Sequence, residues 1–309
     1  MGHRPMMLTR AEFLRVAAVA VSARTQVVPP PTQGKHPMIT RPIPSSAIRL
    51  PVIGLGTWRG FDVGADAAAR ARLADVLRAL FDAGGRVIDS SPMYGTSEDV
   101  AGSLLTQLQA QDRTFVATKV WTEGRQAGIT QMEESMRKLQ HARIELMQVH
   151  NLVDWRTHLE TLRAWKREGR IGHLGITHYR DDAHEQLEAV IGAETLDSVQ
   201  LNYSIDNRAA ERRLLPLAAD RGVAVLVNLP FGGGGLLKRL QGRPLPAWAS
   251  EIDCRTWAQI LLKYVVSHPA VTCVIPGTSR PEHMRENAEA GTGTLPDADL
   301  RRRMVAALA

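Results

Sequence analysis

From Leu50 onward, the chain alternates short, continuous apolar runs with longer stretches in which apolar residues recur about every 3.6 positions. The longer stretches predict helices, in which Leu73, Val76 and Leu80, for example, lie on one face. The short runs predict strands that are covered on both faces, as in a parallel sheet. Predicted strands span 51–57, 86–89, 114–120, 144–150, 171–177, 196–203, 222–229 and 271–277, and predicted helices lie near 65–83, 97–109, 128–140, 155–168, 181–192, 208–221, 254–267 and 281–290. Eight strand–helix units in regular alternation predict a single-domain α/β fold, the (β/α)8 TIM barrel.

The composition is that of an ordinary globular protein, with 44% hydrophobic and 23% charged residues. At 309 residues, the chain is long enough for one barrel, which commonly needs about 250 residues. The segment 229–252 is too long for a plain connection, and we expect it to cover a site as a long loop after the seventh strand. We therefore divide the chain into an N-terminal signal-like segment with a linker, 1–47, and a barrel domain, 48–309.

The N-terminal stretch LTRAEFLRVAAVAVSA resembles a bacterial twin-arginine export signal, with a candidate cleavage site at Ala23. The resemblance is incomplete because Ala11 follows Arg10 where a second arginine is expected, and Arg15 interrupts the apolar run. Export to the periplasm and a cytoplasmic location both stay open, the first being slightly favoured. No apolar stretch reaches the roughly 20 residues of a membrane-spanning helix.

The formal charge of +6 favours an anionic ligand. The arginines are scattered and no basic run is interleaved with aromatic residues, so a phosphate-bearing small molecule is a better partner than nucleic acid. The only two cysteines, Cys254 and Cys273, lie in apolar contexts, and no Cys/His spacing is typical of a metal site. We therefore predict no metal and expect both cysteines to be core residues.

Charged and polar residues end the second, third and fourth predicted strands: Asp89, Lys119 and His150, with Tyr94 in the turn after Asp89. In a (β/α)8 barrel these strand ends meet at the active site, and a charge buried there needs a partner. A lysine held by a carboxylate would lower the pKa of a nearby phenol, and a histidine can hydrogen-bond a carbonyl oxygen. This arrangement favours carbonyl reduction with Tyr94 as the proton donor. The alternative is a structural Asp89–Lys119 ion pair beside a surface tyrosine.

Seven motifs carry a resemblance to a known family, and they occur in order: GLGTW (54–58), FDAGGRVIDSSPMYG (81–95), FVATKV (115–120), ELMQVHN (145–151), LGITHY (174–179), VQLNYS (199–204) and VIPGTSRPEHMREN (274–287). From about residue 48 to 290, the chain resembles the aldo-keto reductases. The resemblance implies a (β/α)8 barrel, NADP(H) as the cofactor, no metal, and Asp89, Tyr94, Lys119 and His150 as the catalytic residues.

The resemblance also implies where the cofactor binds. Thr177 and His178, with Gln200 beside them, match the residues that hold the nicotinamide carboxamide, although His178 replaces an asparagine. Members of the family often have a tyrosine after the seventh strand that stacks on the nicotinamide; here either Phe231 substitutes for it or the nicotinamide ring is less well packed. The remaining cofactor residues that the resemblance implies are Gly56, Thr57 and Trp58 of the first motif, and Gly277, Thr278, Ser279, Arg280, His283, Glu286 and Asn287 of the last. Gly277 stands where many members have a lysine, so Arg280 is expected to meet the 2′-phosphate of NADP.

The residues expected around the substrate are Trp58, Met93 and Trp121, for which ordinary loop packing is the alternative. Together these expectations describe a monomeric NADPH-dependent reductase of aldehydes or ketones. A rival interpretation is an NADP(H)-binding barrel that acts as a redox sensor or partner subunit with little turnover.

Overall fold

The computed structural model describes residues 36–308. In this range the strands are β1 (Thr40–Pro42), β2 (Arg49–Pro51), β3 (Leu55–Gly56), β4 (Val87–Asp89), β5 (Phe115–Val120), β6 (Ile144–His150), β7 (Ile171–His178), β8 (Ser198–Asn202), β9 (Ala224–Asn228) and β10 (Val271–Val274). The helices are α1 (Ala67–Asp82), α2 (Ser97–Gln107), α3 (Arg125–Leu139), α4 (Trp155–Arg167), α5 (His184–Ala193), α6 (Leu214–Asp220), α7 (Gly235–Leu240), α8 (Trp257–Val266), α9 (Pro281–Glu289) and α10 (Ala298–Ala306).

Strands β3 to β10 form one parallel sheet in which neighbours along the chain are neighbours in space. Parallel bridges from Ile53 to Val274 and from Gly56 to Gly277 join the first strand to the last. The Gly54 amide donates to the Val274 carbonyl at 2.8 Å across the same seam. The predicted (β/α)8 barrel is therefore confirmed.

An antiparallel hairpin of β1 and β2 covers the N-terminal end of the barrel. Its buried residues Ile43 and Leu50 pack in one cluster with Val87 and Phe115, which begin β4 and β5. Arg41 of the hairpin donates to the carbonyl of His268 at 2.8 Å and to that of Val271. Strand β1 lies in the segment that was assigned to the linker from its sequence. The predicted export signal lies outside the described residues.

Capping residues explain where several helices begin. The side chain of Asp66 accepts a hydrogen bond from the Ala69 amide ahead of α1. Asp297 accepts one from Leu300 ahead of α10, at 2.8 Å. Such caps satisfy amides that the first helical turn leaves without partners.

Two regions differ from the expected elements. The predicted long loop 229–252 contains α7 and a 3-10 helix at Ala247–Ile252. Helix α10 was not predicted, because only Leu300 and Met304 are buried in it. Its attachment is partly polar: Arg301 donates to Glu211 at 2.8 Å.

Both cysteines are free and buried, as expected. No helix within residues 36–308 is long and apolar enough to cross a membrane.

A close contact between α2 and α3 provides a test of the packing. A Cβ atom at Gly102 would lie 2.2 Å from the carbonyl oxygen of Lys138 in α3. Alanine improves helix propensity by about 1 kcal/mol, but forcing apart packed backbones costs about 1–3 kcal/mol or more. We therefore expect Gly102→Ala to lower the free energy of unfolding by about 2 kcal/mol in urea titrations.

The matched control is Gly192→Ala in α5, where the added Cβ would meet nothing within 4 Å. That substitution should raise the free energy of unfolding by about 0.5–1 kcal/mol, because alanine has less backbone freedom to lose. Equal effects of the two substitutions would contradict the close approach of α2 to α3.

Candidate active site

A buried ion pair joins the ends of β4 and β5. The Lys119 ammonium lies 2.7 Å from Asp89 Oδ2 and also donates to the Ser90 carbonyl at 2.6 Å. The Lys119 side chain is fully buried and that of Asp89 is 4% exposed. A buried charge is tolerated when it is paired and hydrogen-bonded, and Lys119 has both a carboxylate partner and a backbone carbonyl.

Two amides complete the surroundings of Asp89. Its second oxygen, Oδ1, accepts from Gln200 of β8 at 2.9 Å and from Gln148 of β6 at 3.3 Å. The carboxylate is thus fixed by side chains from three other strands, counting Lys119. Gln148 was not singled out from the sequence. A polar residue two positions before His150 in an apolar strand, and so on the same face, was the signal that could have revealed it.

Tyr94 lies beside this pair. The Lys119 ammonium is 5.4 Å from the centre of the Tyr94 ring, and the ring packs edge-on to His150 at 6.2 Å. Burial raises the pKa of Tyr94 above its ordinary value, and the charge of Lys119 opposes that rise only in part. Lys119 does lower the pKa of Tyr94, as expected, but desolvation outweighs this effect and the pKa is raised overall. Tyr94 keeps its proton at neutral pH.

Lys119 itself is charged. Burial lowers its pKa, but the negative charge of Asp89, a contribution from Tyr94 and the hydrogen bond to Asp89 outweigh burial, so the pKa is raised overall. A permanent cation therefore lies next to the phenol.

His150, at the end of β6, is buried and neutral. Burial, helped by the nearby charges of Lys119 and His178, lowers the pKa of His150 to about 3. Its Nδ1 atom lies 3.1 Å from the hydroxyl of Ser91. Ser91 was not singled out from the sequence, although it follows Asp89 in the same motif.

The residues expected near a nicotinamide lie at the ends of β7 and β8. Thr177 donates to Gln200 at 3.2 Å, and Gln200 in turn donates to Asp89. The Gln200 amide is thus bound to protein at both its ends. His178 is partly exposed, and its Nδ1 accepts the Arg180 amide at 3.2 Å while its ring stacks on Tyr179.

The first and last motifs meet across the barrel seam. Gly56 bridges to Gly277, and a Cβ atom at Gly60 would lie 3.5 Å from Thr278. Thr57 is buried, and its hydroxyl donates to the Asp89 carbonyl at 3.1 Å, so its side chain supports β4.

Arg280, the residue expected to meet a 2′-phosphate, immediately precedes α9. Its side chain is 60% exposed and pairs with Glu282, whose carboxylate lies 2.6 Å from the guanidinium. The Arg280 amide donates to the Thr278 hydroxyl at 3.1 Å. Of the other residues predicted in this region, His283 is exposed, Glu286 is half-buried and Asn287 is buried, while Ser279 is exposed.

Large apolar side chains surround this end of the barrel. Trp58, Met93 and Trp121, all predicted at the substrate, are exposed by 49%, 42% and 41%, and Tyr179 by 49%. The Trp121 ring lies 6.4 Å from the His150 ring. Tyr179 was not predicted as a site residue. Phe231 differs from these because it is partly buried and packs against the main core.

The available groups suit a dinucleotide that carries phosphates and an amide. The N-terminus of α9 offers backbone amides to an anion, with Arg280 beside them. The buried side-chain oxygens of Asn151 and Asn228 have no partner among residues 36–308; Asn228 ends β9 and Asn151 directly follows β6. They can accept hydrogen bonds from a ligand. Within the same range, no cluster of three His, Cys, Asp or Glu side chains is arranged for a metal.

Comparison with known proteins agrees with this geometry. A model of the aldo/keto reductase family matches residues 52–304. The chain belongs to the aldo/keto reductase family. It is therefore an oxidoreductase by family, as the motifs implied.

Two relatives from Escherichia coli K12 are informative about the reaction. Methylglyoxal reductase YeaE is 29% identical, with 83% of this chain and 90% of the relative covered. An NADH-specific methylglyoxal reductase is 26% identical, with 86% of this chain and 98% of the relative covered. Among solved structures, an aldo-keto reductase from Klebsiella pneumoniae in complex with NADPH is 27% identical with a TM-score of 0.70, covering 83% of this chain and 90% of that one.

The neutral state of His150 predicts a pH dependence of stability. A histidine in the unfolded chain titrates near pH 6.5. Below that pH the unfolded chain therefore binds a proton that His150 does not bind in the folded protein. The contribution of neutral His150 to the free energy of unfolding is fully present above pH 6.5 and is lost as the pH falls towards 3. Between pH 6.5 and 5 we expect a loss of about 2 kcal/mol in the free energy of unfolding that is absent from a His150→Asn variant.

Comparing wild type with His150→Asn cancels the contributions of the other histidines. An NMR titration gives a direct check: the His150 imidazole should stay neutral down to pH 5. A midpoint near 6.5 would contradict the burial described for this ring.

Proposed function

We propose that this enzyme reduces aldehydes or ketones with NADPH, and that Tyr94 gives the proton to the carbonyl oxygen. The observation that carries the proposal is the buried Asp89–Lys119 pair beside a protonated Tyr94. A tyrosine in ordinary surface packing would not lie 5.4 Å from an ammonium whose charge is fixed by a buried carboxylate.

NADPH, when bound, supplies a hydride to the carbonyl carbon. The carbonyl bond then leaves an electron pair on oxygen, and the Tyr94 proton moves to that oxygen to complete the alcohol. The tyrosinate that remains is stabilised by Lys119, whose charge Asp89 maintains. A high pKa in the free enzyme keeps the proton available, and the ammonium stabilises the anion only when it forms.

Neutral His150 orients the substrate in this proposal. If the Ser91 hydroxyl donates to Nδ1, the imidazole hydrogen is on Nε2, which can donate it to the carbonyl oxygen. A neutral donor leaves the proton transfer to Tyr94, and the low pKa of His150 keeps it neutral across the physiological range.

The cofactor residues keep the roles that the resemblance implied. In this proposal Thr177, His178 and Gln200 face the nicotinamide amide, and Phe231 lies near its ring. Gly277, Thr278 and Ser279 hold the adenosine phosphate, and His283, Glu286 and Asn287 contact the adenine. Gly56, which bridges to Gly277, and its neighbours Thr57 and Trp58 complete the cofactor residues. Arg280 would exchange its exposed pairing with Glu282 for the 2′-phosphate. An exposed ion pair contributes at most about 1 kcal/mol, whereas a charge-assisted bond to phosphate contributes about 1.5–3 kcal/mol.

Small aldehydes are the first substrates to test. Both Escherichia coli relatives are named as methylglyoxal reductases, and Trp58, Met93 and Trp121 provide an apolar wall for larger carbonyl compounds. Turnover of the wild-type enzyme with a panel of small and larger carbonyl compounds also separates this proposal from the sensor interpretation. A sensor would bind NADPH but oxidise almost none of it.

Replacing Tyr94 by phenylalanine tests the proton donor. The change removes only the hydroxyl, so we expect kcat for nitrobenzaldehyde reduction to fall about 10²–10⁴-fold. The dissociation constant of NADPH, measured by fluorescence titration, should change by less than about twofold and serves as the internal control for folding. A Tyr94→Phe enzyme with near-wild-type kcat would rule out this role.

Replacing Arg280 by alanine tests the choice of nucleotide. We expect the NADPH dissociation constant to rise about tenfold or more while that of NADH hardly changes, because only NADPH has the 2′-phosphate. Glu282→Gln should tighten NADPH binding, since Arg280 is then free of its competing partner. The matched control is Arg285→Ala, which changes an exposed arginine of the adjoining helix α9. Equal losses for both nucleotides in Arg280→Ala would mean that Arg280 only supports the loop.

A further inference from the structure

The segment Trp121–Gly124, which we call the β5–α3 loop, is held mainly by side chains. The pairing of β5 with its neighbours ends at Val120, so the backbone of Trp121 lies beyond the sheet. Backbone amides and carbonyls that leave a sheet need other partners. Three residues of the loop find them in side chains from α3 and from the β6–α4 region.

Gln131 of α3 binds Trp121 through both ends of its amide. The Trp121 amide donates to Gln131 Oε1 at 2.5 Å, and Gln131 Nε2 donates to the Trp121 carbonyl at 3.1 Å. A two-point bond of this kind replaces the missing strand partner and fixes the backbone direction at Trp121. The backbone direction in turn sets where the exposed indole can point, near His150.

The remainder of the loop is tied to the region that follows His150. The His158 Nε2–H donates to the Thr122 carbonyl at 2.6 Å, and Asp154 Oδ2 accepts the Gly124 amide at 2.8 Å. Asp154 has a positive φ of 43°, an uncommon conformation for a residue with a side chain. These bonds anchor Thr122 and Gly124. Of the three side chains that bind the loop, Gln131, Asp154 and His158, Gln131 alone binds Trp121.

We propose that Gln131 is a positioning residue that determines how tightly carbonyl substrates bind, by fixing Trp121 at the substrate wall. The inference rests on the proposed reductase function. A fixed indole contributes the same contact to the bound substrate and to the transition state, and loss of such uniform binding raises KM without lowering kcat. Gln131 touches none of the reacting groups, so its influence passes through Trp121.

Gln131→Met is the variant of choice because methionine has a similar length and removes both hydrogen bonds. Gln131 is only half-buried, so the fold should survive, which thermal unfolding checks. With 4-nitrobenzaldehyde we expect KM to rise about tenfold and kcat to change less than about threefold. Gln126→Met, an exposed glutamine of the same helix, is the matched control and should have wild-type kinetics.

A double-mutant cycle with Trp121→Ala separates positioning from general packing. If Gln131 acts through Trp121, Gln131→Met should add nothing to KM once the indole is absent. Fully additive effects of the two substitutions on KM would overturn the proposal. So would a wild-type KM in Gln131→Met once Tyr94→Phe has established that turnover depends on Tyr94.

A further readout needs no substrate. Hydrogen exchange at the Trp121 amide, followed by NMR, should be faster in Gln131→Met than in wild type and in Gln126→Met, because its acceptor has been removed. Unchanged protection of that amide would overturn the inference even if the reductase function failed its own test with Tyr94→Phe.

Discussion

The buried pairing of Lys119 with Asp89 is the interaction on which the rest of the site depends. Two charges excluded from water are stable only if each is fully paired, and this requirement explains the amides of Gln148 and Gln200 and the carbonyl of Ser90 around them. The same cation helps to keep His150 neutral and faces the Tyr94 ring. One salt bridge between adjacent strands therefore influences the protonation of two neighbouring rings.

Much of this arrangement can be predicted from the sequence, because it depends only on the periodicity of apolar residues and on the order of the strands along the chain. Continuous apolar runs such as 115–120 are typical of doubly covered strands, and a polar residue that ends each run must lie at one end of the barrel. Asp89, Lys119 and His150 were found in that way. Helix α10 was missed because only Leu300 and Met304 are buried in it, and because part of its attachment is a long-range ion pair from Arg301, which leaves no periodic pattern in the sequence.

Energetic balances and competing partners were harder to foresee than positions. The sequence places Lys119 near Tyr94 but contains no measure of burial, and burial decides the direction of the Tyr94 pKa. Likewise, the ion pair of Arg280 with Glu282 and the hydrogen bonds of Gln131 with Trp121 depend on side-chain directions. The spacing of residues in the sequence does not give those directions.

The seam between the first and last barrel strands has a consequence for the order of folding. Strands β4, β5 and β6, which contribute Asp89, Lys119 and His150, pair with neighbours close in the chain, whereas closure joins residue 53 to residue 274. During synthesis the seam must form last, because its second half emerges after nearly all the rest. The proposed phosphate loop, 277–280, lies at that seam. A nucleotide that bridges both sides would thus select the closed barrel over partly assembled chains, and the enzyme's resistance to unfolding would follow the supply of its own cofactor.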